Sequence, residues 1–255
     1  MANETNNFVI LSAARSGSTW VVDMLRSIDN TQAFGELFLP RPRPQPRGGE
    51  SDQPRYVERQ RPNLELRPRS VFSFLNRLYR KPGTVGFKLM YAQLCLFPEI
   101  WLYIWWRRIR VVHLVRRNHL DVHISREFLK IRKTPHFVAG QEPPRMKIRL
   151  NPATVVPEMK KLRRNILIAR TLLRSFRVPH VEVAYEDLLG APSGFEPIWD
   201  FLSINVERRT PTSKFRKIRK DNHADVISNY EDIKRALENT AFANLLYSTK
   251  GPESA

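Results

Sequence analysis

Cysteine is nearly missing from this chain, with Cys95 the single one in 255 residues. No intramolecular disulfide can form and thiolate metal clusters are excluded, a usage that fits a reducing cytoplasm. Acidic residues are scarce beside basic ones: 25 Asp and Glu face 43 Lys and Arg, leaving a formal charge of +18. That surface favours nucleic acid, anionic lipid or phosphorylated small molecules, and charge alone does not choose among them. Long apolar runs are missing too. The opening MANETNNFVIL has neither the basic start nor the extended apolar stretch of a secretory signal, and it runs straight into Arg15. The most apolar region, Leu94 to Val115, is broken by Pro98, Glu99 and the arginines 107, 108 and 110, which excludes a membrane span. No internal repeat is visible. The expected setting is cytoplasmic, with peripheral contact at the inner face of an anionic membrane left open by the basic surface.

What remains is ordinary globular material, 42% hydrophobic, enough for one domain over residues 1–255. Phe8 to Ser12 (FVILS) reads as a buried parallel strand, and WVVDMLRSI after it repeats apolar residues at helical spacing. Further strands are expected at Thr84–Leu89, Ile109–Val115 and in HVEVAYEDL from His180. A helix should run from near Leu120 to Ile131. A long amphipathic helix over Val155–Phe176 should end before Pro179. Alternating strands and helices predict an α/β fold, three layers around a mostly parallel sheet. Many of the 19 prolines fall between Pro40 and Arg69, where few large apolar side chains occur. That stretch reads as a mobile insertion, either a solvated loop or an arm over an acceptor.

Ser12 to Trp20 (SAARSGSTW) joins the first strand to the first helix. Gly17 permits close approach of the backbone, while Ser16, Ser18 and Thr19 offer hydroxyls beside the free amides of a helix start. Those amides and the helix dipole favour an anion, and Arg15 adds a full charge. The loop is therefore a receptor for a phosphate-like group at the end of a strand. A nucleoside-triphosphate loop would need a Lys after its second glycine, and none follows Gly17 here. The third strand delivers Arg116 and Arg117 to the same sheet edge. Ser125 follows Arg117 by eight residues, and an Arg and a hydroxyl held together can grip one isolated phosphate.

RSGSTW paired with RRNHLDVHIS resembles the two signature elements of the sulfotransferases that use 3′-phosphoadenosine 5′-phosphosulfate (PAPS). FGEL around Glu36, GFKLMYAQL, AYEDLLGAP and IRKDNHADVISNYEDI resemble the bacterial carbohydrate-type branch, which includes trehalose and nodulation-factor sulfotransferases. The resemblance implies a P-loop-like sulfotransferase fold. It places the 5′-phosphosulfate on Arg15, Ser16, Gly17, Ser18, Thr19 and Trp20, and the 3′-phosphate on Arg117 and Ser125. It adds Lys217 or Arg219 from the basic run Lys214–Lys220, and Glu36 as the base that activates a carbohydrate or glycolipid hydroxyl. No metal is required. Many cytosolic members carry Lys where this chain has Arg15, a planar fork in place of a point charge. A homodimer is expected by analogy alone.

For sulfuryl transfer, Arg15 and Lys88 are candidates to stabilise charge on the sulfuryl oxygens. His113 is a rival base to Glu36, though its mid-strand position suits a core histidine; His119 and His123 flank the second motif. The arginines of the long helix read as a solvated face, and WLYIWWRRIR as a helix laying aromatic side chains on the sheet. Two other readings stand beside transfer: a nucleic-acid-binding protein driven by charge, and a nucleotide kinase. The arginines are dispersed with no reading module, which weighs against the first. The missing Lys weighs against the second.

Overall fold

The computed structural model describes residues 6–39, 54–56, 67–132, 146–190, 192–205 and 222–247. Strand β1 (Phe8–Ser12) leads through residues 13–17 into helix α1 (Ser18–Arg26), and β2 (Thr31–Glu36) follows. Helix α2 (Arg67–Leu78) precedes β3 (Thr84–Met90), which passes directly into α3 (Tyr91–Leu96) and α4 (Pro98–Trp106). Strand β4 (Arg110–Val115), helices α5 (His119–Arg132) and α6 (Pro152–Ser175), and strand β5 (His180–Ala184) complete the sheet. Helices α7 (Tyr185–Gly190), α8 (Glu196–Leu202), α9 (His223–Val226) and α10 (Tyr230–Leu237) come last.

All five strands are parallel, in the order β2-β3-β1-β4-β5. Both faces of the sheet are covered, which is why its strands read as nearly continuous apolar runs. Val9, Leu11, Phe87, Leu89 and Val111 point to one face, packed by α2, α4 and the end of α6. Phe8, Ile10, Ala33, Val112 and Leu114 point to the other, packed by α1 and α8. The alternation within β1 is the period of two expected of a strand. A satellite core joins α5, the first half of α6 and α10.

Two boundaries differ from expectation. The strand beginning at His180 stops at Ala184, and Tyr185 opens a helix with Glu186 and Asp187 in its first turn, where acids suit the dipole. The stretch expected to be an insertion, Pro40–Arg69, is described only at 54–56 and 67–69. Its last residues, Arg67 to Arg69, already form the first turn of α2. Tyr56 packs tilted against Phe38 with ring centroids 5.2 Å apart, and its N–H donates to the Leu37 carbonyl.

From β1 the chain crosses past β3 to reach β2, whereas from β4 it crosses outward to β5. The connections leaving β1 and β4 thus run in opposite directions. That makes the edge between residues 12–13 and 115–116 the topological switch point, where open α/β sheets hold their ligands in a crevice.

Candidate active site

The loop after β1 is backbone-strained. Arg15 has φ 70° and Gly17 has φ 83°, so a non-glycine residue holds a left-handed conformation at the crevice. Gly17 precedes the first helical residue, and the ring of Tyr185 covers it so closely that a Cβ would lie 2.2 Å from a ring carbon. The Arg116 guanidinium lies 5.0 Å over the same ring. Tyr185 is thereby wedged between the loop and an arginine.

The two motifs meet here. Arg15 Nε donates to Ser125 Oγ at 2.9 Å across 110 residues of sequence. Burial, with help from the neighbouring Arg116 charge, pulls the Arg15 pKa below its usual value. Arg116 donates to the Arg15 carbonyl at 3.3 Å and to Asp121 Oδ2 at 2.5 Å. Asp121 reaches this point because Asn118 caps α5, its Oδ1 accepting the Asp121 N–H at 3.1 Å. Asp121 and Ser125 then share one helix face, four residues apart. Ser12 Oγ and Arg116 Nε are buried and make no hydrogen bond among the described residues, so both keep hydrogen-bonding capacity at this edge.

Arg117 behaves differently from Arg116. Its side chain is 63% exposed against 14% for Arg116. It faces Asp187 of α7, with Nη2 to Oδ2 at 2.6 Å, and its backbone N–H donates to Glu186 at 3.0 Å. An exposed pair of this kind contributes about 0–1 kcal/mol, so the Arg117 guanidinium exchanges partners cheaply. Arg116, tied to three groups, does not.

A second cluster forms where β2 and β3 end. Lys88 Nζ lies 3.1 Å from Thr19 Oγ1 and 3.1 Å from Glu36 Oε1. Gln93 donates to Glu36 Oε2 at 3.2 Å while its own Oε1 accepts the Met90 N–H. This contact depends on an irregularity: Phe34 pairs with Phe87 and Glu36 with Lys88, so Gly35 is an extra residue in the ladder. Uninterrupted alternation would place Glu36 opposite Leu89, on the other face of the sheet. The bulge re-aims the carboxylate onto the α1 side, where Lys88 and Thr19 lie.

Ser16 and Ser18 are buried. Trp20 packs edge-on against Tyr185 and Phe195, with ring centroids 5.8 and 5.2 Å apart. Lys217 and Arg219 lie outside the described residues. His113 is fully buried, its Nδ1 at 2.9 Å from Glu182 and its Nε2 at 2.7 Å from the Tyr91 hydroxyl, so neither ring nitrogen faces the crevice unoccupied. The His113 hydrogen bond, reinforced by Arg170, holds the Glu182 carboxyl down at about 2. Burial lowers the pKa of both His119 and His123.

No family model and no curated protein matches this chain. Its site therefore rests on its own geometry. No helix among the described residues is long and apolar enough to cross a membrane, and they contain no group of His, Cys, Asp and Glu suited to a metal ion.

Sequence reasoning passed over Asp121, Gln93, Tyr185 and His223. His223 ties the C-terminal segment to the site: Nδ1 faces the Leu246 carbonyl and Nε2 faces Asp121 Oδ1, both at 2.9 Å. Both partners are acceptors, so only the imidazolium satisfies both ring nitrogens. Burial opposes that charge and Arg116 adds repulsion, but the Asp121 hydrogen bond, the Leu246 carbonyl and the Asp121 charge outweigh them and raise the pKa. With the folded value above 6.5, this contribution is complete below the unfolded pKa and is lost as pH rises through the folded one. Melting temperatures of the wild type should therefore fall across that window, and His223→Gln should remove that part of the slope. An unchanged slope in the variant would assign the dependence to another group.

Proposed function

We propose that this protein transfers a sulfuryl group from PAPS to a hydroxyl of a carbohydrate acceptor. The observation that carries the proposal is the Arg15–Ser125 hydrogen bond. It joins a strand–loop–helix anion receptor to a residue assigned, by resemblance alone, to the other end of the same nucleotide. The loop amides and Arg15 receive the 5′ group at the positive end of α1. Ser125 and Arg117 receive the 3′-phosphate, Arg117 leaving Asp187 to do so, while Arg116 stays as scaffold beneath Arg15.

In this reading the acceptor oxygen attacks sulfur, the bond from sulfur to the bridging oxygen breaks, and adenosine 3′,5′-bisphosphate departs. Glu36 takes the hydroxyl proton. Lys88, held between Glu36 and Thr19, supplies positive charge where the sulfuryl oxygens and the bridging oxygen gain negative charge. Glu36 is preferred to His113 as the base because both ring nitrogens of His113 are occupied.

Thermal shift with two ligands tests the nucleotide assignment. Adenosine 3′,5′-bisphosphate should stabilise the protein much more than adenosine 5′-monophosphate, and Arg117→Ala should abolish the difference. Asp187→Asn should tighten bisphosphate binding by releasing Arg117. Equal shifts from both ligands in the wild type would dismiss the 3′ site.

A further inference from the structure

The opposite edge of the sheet, at the amino ends of the strands, carries a feature unrelated to the crevice. Helix α4 buries Ile100, Tyr103 and Ile104 against the sheet, as expected of its aromatic-rich sequence. Its other face is open: Leu102 is 50%, Trp105 43% and Trp106 59% exposed. Phe176, just past α6, extends this surface, its ring 6.1 Å from that of Trp105 and itself 43% exposed. A contiguous apolar patch of this kind marks an interaction surface.

Arginines rim the patch. Arg107 lies 5.5 Å over the Trp106 ring, and Arg108 donates to the Arg177 carbonyl at 2.7 Å. Arg80, Arg107, Arg108 and Arg110 line an adjoining groove of about 770 Å³. None of these five guanidinium groups forms an ion pair with a carboxylate of the described residues.

Two of them stand where the backbone disfavours them. Helices α4 and α6 end in the same way: the Ile109 N–H returns to the Ile104 carbonyl and the Val178 N–H to the Leu173 carbonyl. The residue before each, Arg108 with φ 54° and Arg177 with φ 48°, is left-handed. Glycine is the usual occupant of that position. The chain therefore keeps arginine at two adjoining helix ends at a backbone cost, next to exposed tryptophans.

We infer that this edge docks on an anionic lipid bilayer, with Trp105, Trp106, Leu102 and Phe176 entering the interface and the arginines meeting acidic headgroups. Tryptophan and arginine together suit that boundary, and the net charge of +18 supplies attraction over distance. The crevice lies at the other end of the strands, on the order of 20 Å away. A docked molecule thus presents it to water, and its acceptor arrives from the aqueous side.

Co-sedimentation with phosphatidylcholine vesicles, and with the same vesicles containing phosphatidylglycerol, tests this without nucleotide or acceptor and so independently of the transfer chemistry. Binding should require phosphatidylglycerol, and brominated acyl chains should quench tryptophan fluorescence, less so in Trp106→Ser. The double variant Arg108→Gly/Arg177→Gly relieves both left-handed backbones, so it should melt no lower than the wild type. It should nevertheless partition about 25-fold more weakly, about fivefold for each arginine removed. Undiminished binding of the double variant, or no quenching, overturns the proposal. Tighter binding of a single-stranded oligouridylate through the same arginines, or a dimer formed through the patch, would reassign the surface and overturn it equally.

Discussion

Glu36→Gln is expected to lower the rate of sulfuryl transfer by about 10²- to 10⁴-fold, the range a positioned general base supplies, while leaving the thermal shift by adenosine 3′,5′-bisphosphate in place. The substitution keeps the shape of the side chain and removes its capacity to take a proton. Glu36 is held by Lys88 at 3.1 Å and by Gln93 at 3.2 Å, so its orientation does not depend on the acceptor. Losing the ion pair with Lys88 lowers stability somewhat. For that reason the variant must be assayed well below its melting temperature, with Lys88→Met as the comparison. Lys88→Met should also lose turnover, through loss of positive charge at the transferred group. Full turnover by Glu36→Gln would remove the carboxylate from the chemistry.

Gly17→Ala is the second large effect, and it acts on stability. Alanine at φ 83° costs about 1–2 kcal/mol. Its Cβ would also meet the Tyr185 ring at 2.2 Å. That ring cannot swing aside, because Arg116 lies over it and Trp20 packs edge-on beside it. Overpacking adds about 1–3 kcal/mol. Together the two terms are a large part of the roughly 5–15 kcal/mol that stabilises a typical native protein, and the melting temperature should drop by roughly 5–20 °C. Tyr185→Leu offers a control: in that background the overpacking is relieved and only the backbone cost of Gly17→Ala should persist. Equal losses in both backgrounds would show that Tyr185 does not seal the loop.

Much of the scaffold could be read in advance because parallel strands and amphipathic helices write local periodicities. Phe8–Ser12 is a strand with the bounds expected, and the long helix appears at Pro152–Ser175 with Asn151 as its cap. The apolar stripe of α2, Val71, Phe74, Leu75 and Leu78, has helical spacing too. It went unread because the Pro and Arg residues before it suggested an insertion. Tyr185 was misplaced for a different reason. Val183 and Ala184 end the strand, but a helix starting immediately after a strand leaves no polar gap to mark the change.

The site divides along the same line. Local sequence carried the loop proposed to receive an anion, the arginines after β4 and the serine two turns into α5, since each is a short-range pattern with its own chemistry. Three other features belong to long-range packing: the bulge at Gly35 that turns Glu36 toward Lys88, the contact of Arg15 with Ser125, and the division of labour between a locked Arg116 and an exposed Arg117. A bulge is visible only against its partner strand, and a guanidinium's partner depends on which carboxylates the fold brings near. The one-dimensional pattern determined which groups exist and on which elements they ride, while burial and pairing in three dimensions decided which of them face one another.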